Sequence, residues 1–206
     1  MASTPDLFSS EILFYVIVFF VLAGCIYKYI TESDQFQLKC VISKVDGNTY
    51  CVRDREKVQA AADLLARTTE KCRKLVKYMQ EKHPDNPVTQ RLVAGFNPQH
   101  VVETLPTSEF TAYSENKGEK IAFCLNPKKK GNVDELIDEH TLTFVAIHEL
   151  SHVGTKSIGH KTDFWENFKF LLENAKAAGI HEPTNYKEKP ATYCSMDIRD
   201  NPYYDR

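Results

Sequence analysis

His148-Glu149-Leu150-Ser151-His152 is the run of this sequence whose residue types and spacing are best suited to chemistry. On a helix, positions i and i+4 share a face, so two imidazoles at this spacing can hold one Zn²⁺ ion. Zinc brings the pKa of water in its site towards ~7, and Glu149, one residue round the helix, is placed to take the proton as general base and return it as general acid. The mostly apolar lead-in, Thr141 to Ile147, gives the motif a helical, buried context. Seven His and 16 Glu in 206 positions make a chance match uncommon, about 0.02 expected by random placement. The structural alternative is a buried helix with two satisfied histidines.

A zinc site that keeps an open position needs a third protein ligand. His160 follows after a seven-residue loop that contains Gly154 and Gly159, and it is the leading candidate to fold back. Glu166 and Glu173, on the next helix, are its rivals. The metzincin pattern fails, since its glycine falls at Thr155 and its histidine at Ile158. His83, His100, His140 and His181 read as surface or capping residues.

The elements that must position these groups follow from periodicity and breakers. Phe36 to Arg53 holds two β-prone runs around Asp46-Gly47-Asn48, a hairpin signal. Apolar residues at helical spacing predict a long helix from about Asp54 to Lys82, stopped by Pro84 and Pro87, and a short one from Arg91 to Phe96. β-like runs follow at Phe110–Tyr113 and Lys120–Leu125, joined by the polar turn SENKGE. Further helices are expected at about Asp134–His152 and Thr162–Ala178, with Gly179 behind the second. The tail from His181 is rich in Pro and Tyr and reads as extended. Irregular alternation of helices and strands predicts a small α+β domain.

Residues 12–30 (ILFYVIVFFVLAGCIYKYI) depart from this pattern. A helix of that length spans roughly 28 Å, close to a ~30 Å hydrocarbon core. Lys28 can snorkel, and Tyr27 and Tyr29 suit the headgroup level. A cleaved signal should open with Lys or Arg, whereas MASTPDLFSSE carries Asp6 and Glu11. Leu22-Ala23-Gly24-Cys25 resembles a bacterial lipoprotein signal, but apolar residues continue past Cys25. One transmembrane helix is therefore the expectation. The chain then divides into a short N-terminal segment (1–11), the membrane helix (12–30), a juxtamembrane hairpin segment (31–53), the main domain (54–180) and the tail (181–206).

Lys28, Lys39 and Lys44 follow the span and no Lys or Arg precedes it, which predicts a cytosolic C-terminal domain. There Cys40, Cys51, Cys72, Cys124 and Cys194 should be free thiols; the opposite orientation would allow disulfides, with Cys40–Cys51 the nearest pair. With 26 Lys+Arg against 28 Asp+Glu the net charge is −2. That near-neutrality tells against a nucleic-acid partner. The one basic run, Lys128-Lys129-Lys130, reads as a solvated loop beside Gly131.

His148 to Trp165 (HELSHVGTKSIGHKTDFW) resembles the H-E-x-x-H…H-x-x-x-F pattern of WLM-domain zinc metallopeptidases and their SprT-like and YgjP-like relatives. Ser114-Glu115-Asn116-Lys117-Gly118-Glu119-Lys120-Ile121 is similar to the segment that leads into that family's strand before the active-site helix. The resemblance implies a small zincin-like metalloprotease domain, with His148, His152 and His160 as ligands of one Zn²⁺ and Glu149 as catalytic acid/base. It also implies that Phe164 and Trp165 pack under the metal site, and that a strand at Lys120–Leu125 receives an extended polypeptide substrate. This sequence departs in two ways: the loop between second and third ligands is seven residues where five is common, and the best-known soluble DNA-repair members lack an anchor. A small anchored domain of this kind also resembles uncharacterised proteins of large DNA viruses, whose membrane would be that of the host or the virion.

The expected function is thus a membrane-anchored zinc metallopeptidase, with the lipid bilayer as a partner of residues 12–30. Tyr186 and Tyr193 are the candidates for stabilising the oxyanion. The alternatives are an inactive zincin-fold protein with a structural or partner-binding role, in which Glu149 has no task, and a DNA-associated protease, which the charge opposes.

Overall fold

The computed structural model describes residues 10–32, 38–128 and 134–205. Most of the N-terminal segment, the residues joining the apolar helix to the hairpin, and Lys129, Lys130 and Gly131 of the basic run lie outside them, as does Arg206.

Helix α1 runs Ser10–Glu32. Its window Glu11–Ile30 has mean hydropathy 2.1 and buries nothing against the rest of the chain, so by length and composition it can cross a membrane. An apolar surface of that extent is the kind that lipid or a partner covers.

The hairpin falls where the Asp-Gly-Asn turn requires it. β1 (Leu38–Ile42) and β2 (Thr49–Arg53) pair antiparallel, with Cys40 opposite Cys51. Asp46 accepts hydrogen bonds from the Asn48 amide and the Tyr50 hydroxyl, and Gly47 takes φ +74°, a conformation that favours glycine. Helix α2 (Val58–Lys82) lies against both strands and buries Ala61, Leu65, Cys72, Leu75 and Met79 along one face.

Pro87 does not merely end α2. It opens α3 (Pro87–Gly95), with the Asn86 side chain accepting from the Val88 amide at 2.8 Å. A proline at the first helical position loses no hydrogen bond, so the same residue stops one helix and starts the next.

β3 (Val101–Glu103), β4 (Ala112–Glu115) and β5 (Lys120–Phe123) form a sheet in the order β3-β5-β4, with β3 parallel and β4 antiparallel to β5. The strand at Lys120–Leu125 is therefore central and has no free edge for a peptide. The edge facing the site belongs to β4.

β3 had no clear sequence signal because its last residue is a buried carboxylate. Glu103 accepts from the backbone N–H of Arg53 at 2.7 Å and pairs with the Arg55 guanidinium, joining β3 to β2. The Arg53 guanidinium donates onward to the Thr104 and Leu105 carbonyls.

Helix α4 (Glu139–Gly154) starts later than the expected Asp134, because the Asp138 carboxylate caps it by accepting from the Thr141 amide at 2.8 Å. It is apolar nearly all round and packs against α2, α3 and β4, as a central helix must. Helix α5 (Thr162–Ala177) lies across it.

The tail is not simply extended. It forms a second hairpin, β6 (Ala191–Tyr193) with β7 (Met196–Ile198), and a 3₁₀ turn at Pro202–Tyr204. Tyr186 and Tyr193 enter the core.

The cysteines correct the free-thiol expectation. Cys40–Cys51 and Cys124–Cys194 are disulfides, the second closing a separation of 70 residues, while Cys25 and Cys72 remain thiols.

Candidate metal centre

α4 carries His148 and His152 on one face, and the loop after Gly154 turns back to bring His160 between them. The His160 Nε2 lies 3.0 Å from His148 Nε2 and 3.1 Å from His152 Nε2. One ring N–H cannot serve two such neighbours. Three nitrogens this close form a stable group when a cation sits among them. Zn–N bonds of ~2.0–2.1 Å in a tetrahedron imply N···N edges of about 3.3 Å, close to the two spacings that His160 makes, and all three donor atoms lie within 4.8 Å of one another. The donor set therefore fits a borderline-soft ion such as zinc. Glu166 and Glu173 are exposed and are not part of the group.

The electrostatics agree with that fit. Burial, and then the neighbouring imidazoles, hold His148 down to about 3. Burial, His160 and Lys117 hold His152 at about 4. Both rings are thus neutral at physiological pH and keep a lone pair to offer. Glu149, 4 % exposed, has its carboxyl pushed up to about 8 by burial alone.

Phe164, the third residue of α5, is fully buried and lies beneath all three imidazoles. Its ring stacks on His152 at 4.3 Å and meets His148 and His160 at 4.9 and 4.7 Å. Trp165 lies beside His160 at 5.7 Å but stays 45 % exposed at the mouth of the site, so only Phe164 acts as the floor.

The histidine face opens into a cleft of about 900 Å³. One wall is Phe110 to Ser114, at and before β4; the opposite wall is the loop and start of α5 with Ile158 and Trp165; the third is the tail, with Met196 and Ile198. The sequence reading missed this third wall and also missed Lys117, which lines the cleft from the turn before β5. Asn116, Lys117 and Gly118 all take positive φ, which marks this turn as more than a connector.

Tyr193 reaches the cleft but has committed its proton: its hydroxyl donates to the Thr111 carbonyl at 3.1 Å and accepts from the Cys124 amide at 3.0 Å. Tyr186 is buried, packs edge-on against Phe144 at 4.9 Å, and does not line the cleft. The structure therefore supplies neither tyrosine as a ready oxyanion donor.

The other histidines sort as expected, with one exception. His83 caps the end of α2 and bonds Asn174, His100 is exposed, and His140 bonds Thr184. His181 is not a surface residue: it is buried and stacks on His140 at 4.4 Å.

Three viral proteins are similar to the chain. An uncharacterized protein of Acanthamoeba polyphaga mimivirus is 24 % identical over 174 residues, covering 82 % of this chain and 87 % of that protein. An uncharacterized protein of Invertebrate iridescent virus 6 is 34 % identical over 83 residues, 40 % of this chain and 44 % of its own length. One of Invertebrate iridescent virus 3 is 41 % identical over 59 residues, 29 % of this chain and 36 % of its own length. No known family model matches the chain, and no solved structure does. The resemblance to WLM-domain and SprT-like peptidases thus rests on the quoted motifs.

Proposed function

We propose that the chain is a membrane-anchored zinc-dependent peptidase. The observation that carries this is the convergence of three Nε2 atoms within bonding reach of one ion, with the buried Glu149 one residue along the same helix. Bound there, a zinc ion would supply Lewis acidity, polarising a carbonyl and making water nucleophilic near neutral pH.

The chain's own residues do the rest. His148, His152 and His160 offer ring nitrogens, and Phe164 fixes their rings. A Glu149 carboxylate oxygen takes the proton of the attacking water. It then passes that proton to the leaving nitrogen as the C–N bond breaks. The β4 edge, forming one wall of the cleft, suits an extended polypeptide laid antiparallel to it. The aromatic and aliphatic walls favour apolar side chains in that polypeptide. The anchor in this reading is α1, and the two disulfides favour placing the domain on the oxidising side of its membrane.

The test is zinc content and peptide hydrolysis by the full chain in detergent. The wild type should hold one zinc and cleave, His160→Ala should bind zinc far more weakly, and Glu149→Gln should keep zinc without cleaving. A Glu149→Gln protein that hydrolyses peptides at the wild-type rate overturns the mechanism, and a wild type with no stoichiometric zinc overturns the metal site.

A further inference from the structure

Lys117 stands in the turn between β4 and β5, far in sequence from the histidines. Its ammonium donates to three backbone carbonyls: His152 at 3.1 Å, Thr155 at 2.6 Å and Ser157 at 3.0 Å. An ammonium has three protons, so all of them are engaged. None is left for a substrate oxygen, which rules out an oxyanion or proton-donor role while these bonds hold.

What the three carbonyls have in common is position. The first belongs to the second histidine of the motif, and the other two belong to the loop that presents His160. The other side-chain ties of Thr155 and Ser157 run forward to α5: Ser157 Oγ donates to Asp163 at 2.7 Å, and Asn167 donates to Thr155 Oγ1 at 2.8 Å; the Thr155 amide itself closes the last turn of α4 on the Ser151 carbonyl at 2.9 Å. Lys117 ties the loop back to the end of α4. Through one ammonium it joins the Thr155 and Ser157 carbonyls of the loop to the His152 carbonyl.

The turn that aims Lys117 is itself tightly determined. Asn116, Lys117 and Gly118 have φ of +46°, +57° and +105°. A non-glycine residue in this left-handed region is strained and persists there only where the surroundings impose it. Here the imposing neighbour is α3: a Cβ on Gly118 would lie 2.6 Å from the Gly95 carbonyl oxygen, and the Asn97 amide donates to the Gly118 carbonyl at 3.0 Å. α3 is anchored in turn to α4, with Arg91 donating to the Gly154 carbonyl.

We propose that Lys117 is a positioning residue: it holds the His160 loop against the end of α4 so that the third imidazole meets the other two. This rests on the metal-site reading above. A seven-residue loop between ligands has many open conformations, and closing it costs chain entropy that a fixed cross-link removes in advance.

The experiment compares the full chain in detergent with Lys117→Met, His160→Ala and the double variant, using Zn²⁺ competition with a chelator. Methionine keeps the length of the side chain and removes the three bonds. Lys117→Met should bind zinc about ten- to a hundredfold more weakly, the range for removing a supporting contact. The double variant should bind no more weakly than His160→Ala, because both changes remove the same ligand. Zinc affinity of Lys117→Met within twofold of wild type, or losses that multiply in the double variant, overturn the proposal.

A second readout needs no metal. In the metal-free protein, trypsin should cut after Lys156 and Lys161 at least tenfold faster in Lys117→Met than in wild type, with thermal midpoints confirming that both are folded. Should the wild type bind no zinc, the metal assignment fails, and this cleavage decides Lys117 alone: equal rates overturn its role.

Discussion

The Tyr193 hydroxyl accepts a hydrogen bond from the Cys124 backbone N–H at 3.0 Å, and the residue after Tyr193 is disulfide-bonded to that same Cys124. The tail is thus fastened twice to the end of β5, and the Tyr193 proton extends the fastening to Thr111 at the approach to β4. Tyr193→Phe removes both hydroxyl bonds, while the Cys124 amide keeps its 2.8 Å bond to the Thr111 carbonyl, so the loss in chemical denaturation should be about 0.5–1.5 kcal/mol. A catalytic tyrosine would show the reverse pattern, unchanged stability with lost turnover.

Glu103 and the two arginines make a second prediction. The side chains of Glu103 and Arg55 are fully buried, and Arg53 nearly so. Glu103→Gln removes the carboxylate that lies between two buried guanidinium groups and should cost about 3–5 kcal/mol. The unfolding midpoint in urea checks it, and a change below 1 kcal/mol would show that the arginines find other partners.

The motif was legible because its geometry is local: i and i+4 share a helix face whatever surrounds them, and His160 lies only eight residues beyond His152. The hairpin around Asp46-Gly47 was legible for the same reason. What escaped were arrangements made across the fold. Cys124–Cys194 closes 70 residues with no local pattern. Lys117 meets carbonyls 35 to 40 positions away, through a side chain that in sequence reads as part of a polar turn. β3 is three residues long and ends on a buried acid that only Arg53 and Arg55 make tolerable, so hydrophobic periodicity could not reveal it.

Asp63 gives a pH prediction. Burial opposes its charge, but hydrogen bonds from Ser43 Oγ at 2.7 Å, the Lys44 amide at 2.8 Å and Gln59 at 3.0 Å outweigh it and hold the carboxyl below the usual aspartate range. A carboxyl depressed in the folded state stabilises above its unfolded pKa of about 3.9, and that contribution is lost as pH falls through the lower folded value. Asp63→Asn should therefore lower the thermal midpoint by a constant amount from pH 7 to 5. The gap to wild type should close below about pH 4. A gap independent of pH down to 2.5 would assign the effect to lost hydrogen bonds alone.

The cleft walls predict which peptides are cut. Phe110, Trp165, Phe168, Met196 and Ile198 surround the histidines with aromatic and aliphatic surface, while Arg199 and Asp200 are the nearby charges on the tail side. An apolar side chain entering this cleft gains on the order of 1.5–3 kcal/mol by leaving water, and a carboxylate gains nothing there. Peptides with Phe or Leu beside the scissile bond should show kcat/KM at least tenfold above those with Asp in the same place. Trp165 tests the wall itself, because its exposure lets it be shortened without emptying the core. Trp165→Ala should leave stability within about 0.5 kcal/mol. It should also erode the preference through KM, since the lost contact binds substrate and transition state alike. Equal rates on apolar and acidic peptides, in wild type and variant, would mean that substrate reaches the metal by another path.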